Sequence, residues 1–101
     1  MTAFVIVEIL EVLDEETYAT YRAAVGATLA QAGGRYLARG NEIAVLEGAW
    51  QPRRLILVQF PSAEAAQGWW AGAGYRELKA MRQRSTQANM ILIEGVRDVT
   101  C

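Results

Sequence analysis

Histidine is absent from this chain of 101 residues, cysteine occurs once, as Cys101, and proline only twice, at Pro52 and Pro61. Without imidazole and with a single thiol, zinc and haem sites built on histidine or on several thiolates are excluded, and no Ser-His dyad can form within the chain. No cofactor or metal is therefore expected. An intrachain disulfide is equally excluded, and Cys101 reads as an inert tail thiol. Reduction or Cys101→Ser is expected to change neither assembly nor melting temperature, because a terminal thiol closes no loop; loss of an assembly in reductant, seen by light scattering, would contradict this. No apolar run approaches the roughly 18 residues that cross a bilayer. The opening Met1-Thr2-Ala3 lacks the basic flank of a signal peptide, so the expected compartment is the cytoplasm, with no membrane partner. Ten basic residues against eleven acidic ones leave a formal net charge of −1, which argues against a nucleic-acid partner.

What is present is globular: 52% of residues are hydrophobic and 21% charged, and a chain of this length holds one core, so residues 1–101 are expected to form a single domain. Residues 3–11, Ala-Phe-Val-Ile-Val-Glu-Ile-Leu-Glu, are rich in β-branched residues and read as a strand. Asp14 caps a helix with Glu15 and Glu16 in its first turn, and Tyr18, Tyr21, Val25, Leu29 and Ala32 make one apolar stripe. Gly33-Gly34 ends it, and residues 35–39 form a short strand that enters a turn at Gly40-Asn41. Residues 42–47 either continue that strand beyond a bulge or turn back as a small hairpin. Residues 53–60 form the third main strand, and Ser62 with Glu64 starts a second helical region. Gly72-Ala73-Gly74 breaks that region before Tyr75, Leu78 and Met81 resume helical spacing, and residues 89–94 form the last strand, followed by a tail whose Val-Arg-Asp-Val is suited to weak pairing. The order strand, helix, strand, strand, helix, strand predicts an α+β, ferredoxin-like βαββαβ domain with an antiparallel sheet backed by helices on one face.

The strands are apolar on both parities. Phe4, Ile6 and Leu10 alternate with Val5, Val7 and Ile9; Leu55 and Leu57 with Ile56, Val58 and Phe60; Ile91 and Ile93 with Met90 and Leu92. A sheet with one wet face would alternate apolar and polar residues. Helices cover one face, and a second copy of the sheet is the simplest cover for the other, giving a homodimer. The alternative is a monomer with residues 40–52 folded over the open face. With the first and third strands taken as parallel neighbours, Glu94 falls level with Arg53 or Arg54, while Glu8 and Gln59 meet at the opposite end near Arg35.

Most motif tests fail. Ser62 and Ser85 lack a nucleophile elbow, and Gly72-x-Gly74 follows a helix and lacks the third glycine of a dinucleotide fingerprint. Arg76, Lys79 and Arg82 read better as a solvated helix face than as a phosphate site. Tyr75, Leu78 and Arg82 share a helical face, which directs Arg82 inward or along a rim. If no carboxylate from Glu8 or Glu94 reaches it, an anionic ligand is its natural partner.

Gly33-Gly34-Arg35-Tyr36-Leu37, Arg39-Gly40, Leu46-Glu47-Gly48, Pro52-Arg53-Arg54, Phe60-Pro61-Ser62, Trp69, Tyr75, Arg82 and Glu94-Gly95 together resemble domain-of-unknown-function family 1330. The resemblance covers nearly the whole chain and implies a dimeric α/β barrel assembled from ferredoxin-like domains, without an established activity. Gln59, Trp70 and Gly72-Ala73-Gly74 depart from the family's usual residues. Three functional classes follow. The first is a dimeric small-molecule-binding module with a cleft between helices and sheet, taking a small apolar or anionic ligand through Arg54, Trp69, Tyr75, Arg82 and Glu94. The second is a cofactor-independent enzyme of the oxygenase or isomerase kind, and the third a structural or interaction dimer without a pocket.

Overall fold

Ten residues of mostly β-branched and aliphatic character form the central strand β1 (Ala3–Val12), from which the rest of the sheet is built outward. In the computed structural model, which describes residues 1–96, the further elements are α1 (Glu15–Gln31), β2 (Arg35–Gly40), β3 (Leu55–Phe60), α2 (Ala63–Ala71), α3 (Ala73–Ser85) and β4 (Thr86–Glu94). The strand order is β2-β3-β1-β4, and every pairing is antiparallel. This is the expected ferredoxin-like architecture, and the sheet of one chain is open, not closed into a barrel. The Arg-Asp-Val part of the tail that follows Val96, and Cys101, lie outside the described residues.

The strand directions correct one expectation. β1 and β3 are antiparallel, with Ala3 opposite Phe60 and Glu8 opposite Leu55. One helical crossover returns β2 parallel to β1, and the β2–β3 connection then reverses the chain. Glu94, opposite Ala3, is therefore level with Phe60 and far from Arg53 and Arg54. Gln59 pairs with Arg35, whose Nε and Nη2 donate to its amide oxygen at 3.2 and 3.1 Å, while Glu8 sits at the other end and accepts from Trp50 Nε1 at 2.9 Å.

Helix α1 begins where the sequence sets a cap: the Asp14 carboxylate accepts from the Thr17 amide at 3.1 Å and from its hydroxyl at 2.7 Å. These bonds, the side-chain one first, hold the Asp14 carboxyl below its ordinary value of 3.8. A carboxyl depressed in the folded state stabilises the fold above the unfolded value, and that contribution is lost as pH falls through the lower folded one. Melting temperature should therefore drop below about pH 4 more steeply in the wild type than in Asp14→Asn, which keeps an acceptor oxygen. Tyr18, Tyr21, Val25 and Leu29 are buried as the stripe requires, and Gly33, at φ +83°, supplies the left-handed residue that ends the helix.

Ser62 caps α2, accepting from the Ala65 amide at 3.0 Å. The chain breaks at Gly72, the C-cap of α2 and the N-cap of α3. A Cβ at Gly72 would lie 2.6 Å from the Gly68 carbonyl oxygen, so the break requires glycine by close approach. Gly72→Ala should lower the melting temperature while Gly74→Ala, where a Cβ meets open space, should hold or raise it.

The long connection over residues 41–54 forms neither a continued strand nor a hairpin. The sheet's two faces differ as a consequence of the layer arrangement. Val5, Val7, Ile9, Val58 and Phe60 are buried beneath the helices, with Ile56, Met90 and Leu92 packed beside them. On the opposite face Ile91 and Ile93 remain 58% and 54% exposed. Trp50 touches that face through Glu8, yet Leu46 in the same connection is 96% exposed, and the connection leaves Ile91 and Ile93 on the β4 side uncovered.

Candidate functional site

A β-bulge decides which side chains of β2 reach the helix layer. Arg35 is opposite Gln59 and Tyr36 opposite Val58, but Ala38 is opposite Leu57 and Arg39 opposite Ile56, so Leu37 is the extra residue. In a regular strand Tyr36 and Arg39 would point to opposite faces. The bulge turns both toward the helices, level with Val58 and Ile56. Arg54 reaches the same face by ordinary alternation two residues before Ile56, and its carbonyl accepts from the Ile9 amide at 3.1 Å.

These residues enclose a cavity of about 400 Å³ between α1, α3 and the sheet. Its walls are apolar where β1 and β3 contribute Val5, Val7, Ile9, Ile56 and Val58, and aromatic at Tyr18, Tyr21, Tyr36 and Trp69. Four arginines complete it: Arg22 on α1, Arg39 on β2, Arg54 beside β3 and Arg82 on α3. Among the described residues no aspartate or glutamate lines this cavity, although the whole chain carries a slight acidic excess. Arg54 Nε is buried without a hydrogen-bond partner. Such a nitrogen costs about 1–3 kcal/mol, and more on a charged group, unless something else accepts its proton.

Arg82 is 6% exposed. Its Nε donates to the Tyr75 hydroxyl at 3.3 Å, and the Tyr75 and Tyr21 hydroxyls are 2.8 Å apart. A guanidinium only donates, so the Tyr75 oxygen accepts from Arg82, while between the Tyr75 and Tyr21 hydroxyls either can donate. The Tyr21 side chain lines the cavity. Burial first, and the adjacent Tyr75 second, raise the Tyr21 phenol far above its ordinary value of 10, with Arg82 pulling weakly the other way. Tyr21 is therefore a neutral phenol across the physiological range. Trp69 stacks on Tyr75 with ring centroids 4.0 Å apart, and its indole nitrogen donates to Thr28 Oγ1 at 3.0 Å, fixing the cavity's inner wall.

Of the five residues named from sequence, Arg54, Trp69 and Arg82 line this cavity. Tyr75, 1% exposed, stands behind Tyr21 as its support. Glu94 does not take part: it lies at the strand end paired with Ala3. Tyr75 and Trp69 also border a second cavity of about 370 Å³ at the Gly72 break, which carries no charged residue. The basic strip of Arg76, Lys79 and Arg82 does not form one solvated face, because Arg82 is buried and Lys79 donates to the Trp70 carbonyl at 3.0 Å. Sequence reasoning missed Arg22, Arg39 and Tyr36 as site residues. Tyr18 and Tyr21 were visible as part of a buried stripe, and two phenols on such a stripe signal polar partners inside.

Three comparisons place the chain. Among curated proteins none matches it. A protein of unknown function from Rhodopseudomonas palustris superposes with a TM-score of 0.76 at 17% identity, covering 96% of this chain and 84% of that one. A dimeric ferredoxin-like protein of unknown function from Jannaschia sp. CCS1 gives 0.63 at 13% identity over 94% of this chain and 100% of the other. SnoaB, a cofactor-independent oxygenase from Streptomyces nogalater, gives 0.62 at 11% identity over 97% and 95%. At these identities the likeness is one of fold. No helix among the described residues is long and apolar enough to cross a membrane. The family model of the domain of unknown function DUF1330 matches residues 2–96, and the chain belongs to that family.

Proposed function

We propose that the protein is a small-molecule-binding module that works as a homodimer and takes an organic anion into the cavity between α1, α3 and the sheet. The observation that carries this is the convergence of four arginines on one 400 Å³ space with no carboxylate among its described lining residues. Guanidiniums gathered around one partly open cleft repel one another, and an anion relieves that repulsion while accepting their hydrogen bonds. Size and apolar walls fit a compact ligand. Dimerisation through the open sheet face is supported by the exposed Ile91 and Ile93 and by related structures described as dimeric. Benzoate or hexanoate should raise the melting temperature, the neutral amides of the same shape should not, and Arg82→Ala should abolish the anion effect. Equal shifts with acids and amides would overturn the reading.

A second reading, an enzyme of the cofactor-independent oxygenase kind, draws on one feature, the Arg82–Tyr75–Tyr21 relay, which would stabilise negative charge developing on a substrate oxygen. Against it, the described lining holds no carboxylate, imidazole or thiol to serve as a base. Turnover of a candidate substrate by the metal-free protein would favour this second reading over binding alone.

A further inference from the structure

The four arginines of the cavity stand at two depths. Arg82 is buried and Arg54 half-buried, with its Nε sealed from solvent and unbonded. Arg22 and Arg39 are exposed, and each lies over a tyrosine that also lines the cavity: Arg22 at 5.3 Å from the Tyr18 ring, Arg39 at 4.3 Å from the Tyr36 ring. Stacking of this kind holds a guanidinium plane against the ring and leaves its N–H edge free to donate.

We infer that the ligand is a two-ended organic dianion, with one anionic group held at depth by Arg54, Arg82 and the Tyr21 hydroxyl, and the other held at the mouth by Arg22 and Arg39. This rests on the anion-binding reading above and specifies its ligand. A carboxylate or phosphate group is matched by the fork of a guanidinium, and a pair of forks suits one such group. A ligand with one anionic end would satisfy the deeper pair and leave the exposed Arg22 and Arg39 to water, so a second anionic group adds a pairing at the mouth. The rest of the lining is mostly apolar, with Val7, Ile56 and Val58 among it, which suits a hydrocarbon chain or ring as spacer. The bulge at Leu37 belongs to this device, since without it Arg39 would leave the mouth for the opposite face.

Calorimetric titration of the intact protein with matched probes tests the inference: adipate against hexanoate, terephthalate against benzoate, and phenyl phosphate as two charges on one group. Each diacid should bind about tenfold or more tightly than its monoacid, the difference that one further charge-assisted pairing supplies. Arg39→Ala, on the surface and safe for folding, should bring the diacid down to the monoacid's affinity and leave the monoacid unchanged. Arg54→Lys should weaken both. Arg53→Ala removes an exposed charge outside the cavity and should change neither. Equal affinities for diacid and monoacid, tight phenyl phosphate binding insensitive to Arg39→Ala, or an Arg53→Ala effect as large as that of Arg39→Ala would overturn the two-ended ligand while the anion-binding cavity stood. No binding of any anion at millimolar concentration would overturn both.

Discussion

Tyr75→Ala is expected to destabilise the fold severely, by about 4–8 kcal/mol. Tyr75 is among the largest fully buried side chains, stacked on Trp69 and bonded to both Tyr21 and Arg82. Truncating a buried aromatic to alanine costs about 3–5 kcal/mol through lost transfer energy and the cavity left behind. The buried Arg82 guanidinium would also lose its phenol acceptor, adding about 1–3 kcal/mol. Against a total stability of roughly 5–15 kcal/mol for a domain, that sum consumes most of the margin. Tyr75→Phe separates the two effects, because it keeps the ring and the stack while removing the hydroxyl. It should cost about 1–3 kcal/mol, a fall in melting temperature of roughly 4–8 °C for each kcal/mol in a domain of this size. Thermal melts followed by circular dichroism measure both. An unchanged melting temperature in Tyr75→Phe would mean that Arg82 and Tyr21 find other partners and that the relay contributes no net stability.

Ile6→Lys is expected to leave the protein insoluble or unfolded. Ile6 is opposite Leu57 on one side and Ile91 on the other, in the middle of the sheet face that no helix covers. In a homodimer built on that face the lysine would place an ammonium group in a dry interface at a cost of several kcal/mol. Where a folded monomer has little stability of its own, loss of the interface is loss of the fold. Val7→Lys tests the opposite face: Val7 belongs to the core beneath the helices, so this substitution should prevent folding whatever the assembly state. Light scattering of the wild type at micromolar concentration should give twice the chain mass. A monodisperse, folded wild-type monomer, or an Ile6→Lys protein as soluble and stable as the wild type, would sink the dimer.

Much of the architecture was legible before any coordinates, because it is written in local patterns. Asp14 and Ser62 act as caps since their side-chain oxygens satisfy amides that no carbonyl can reach. Gly33 takes a positive φ that other residues avoid, and the break at Gly72 follows from a carbonyl too close for any Cβ. The apolar residues on both parities of β1, β3 and β4 announced two faces seeking cover, a property of period two that needs no knowledge of partners. Arg82 was named for the cleft from helical spacing and Trp69 beside the family resemblance, and both line the cavity.

What the sequence by itself determined, then, was the element order, the caps and breaks, and the two apolar sheet faces. Only the tertiary structure decided which side chains meet around the cavity. Glu94 was assigned to the wrong end of the sheet because strand direction depends on how many crossovers and reversals precede a strand, which pairing alone reveals. Arg39 and Tyr36 face the same cavity only because Leu37 is extruded against β3, and a bulge is chosen by the register of two strands together. Arg22, Arg54 and Arg82 are 32 and 28 residues apart in the chain and meet because α1 and α3 pack over the same end of the sheet. Convergence of like charges from separate elements leaves no local signature: each arginine is unremarkable on its own strand or helix, and its neighbours across the cavity are supplied by packing.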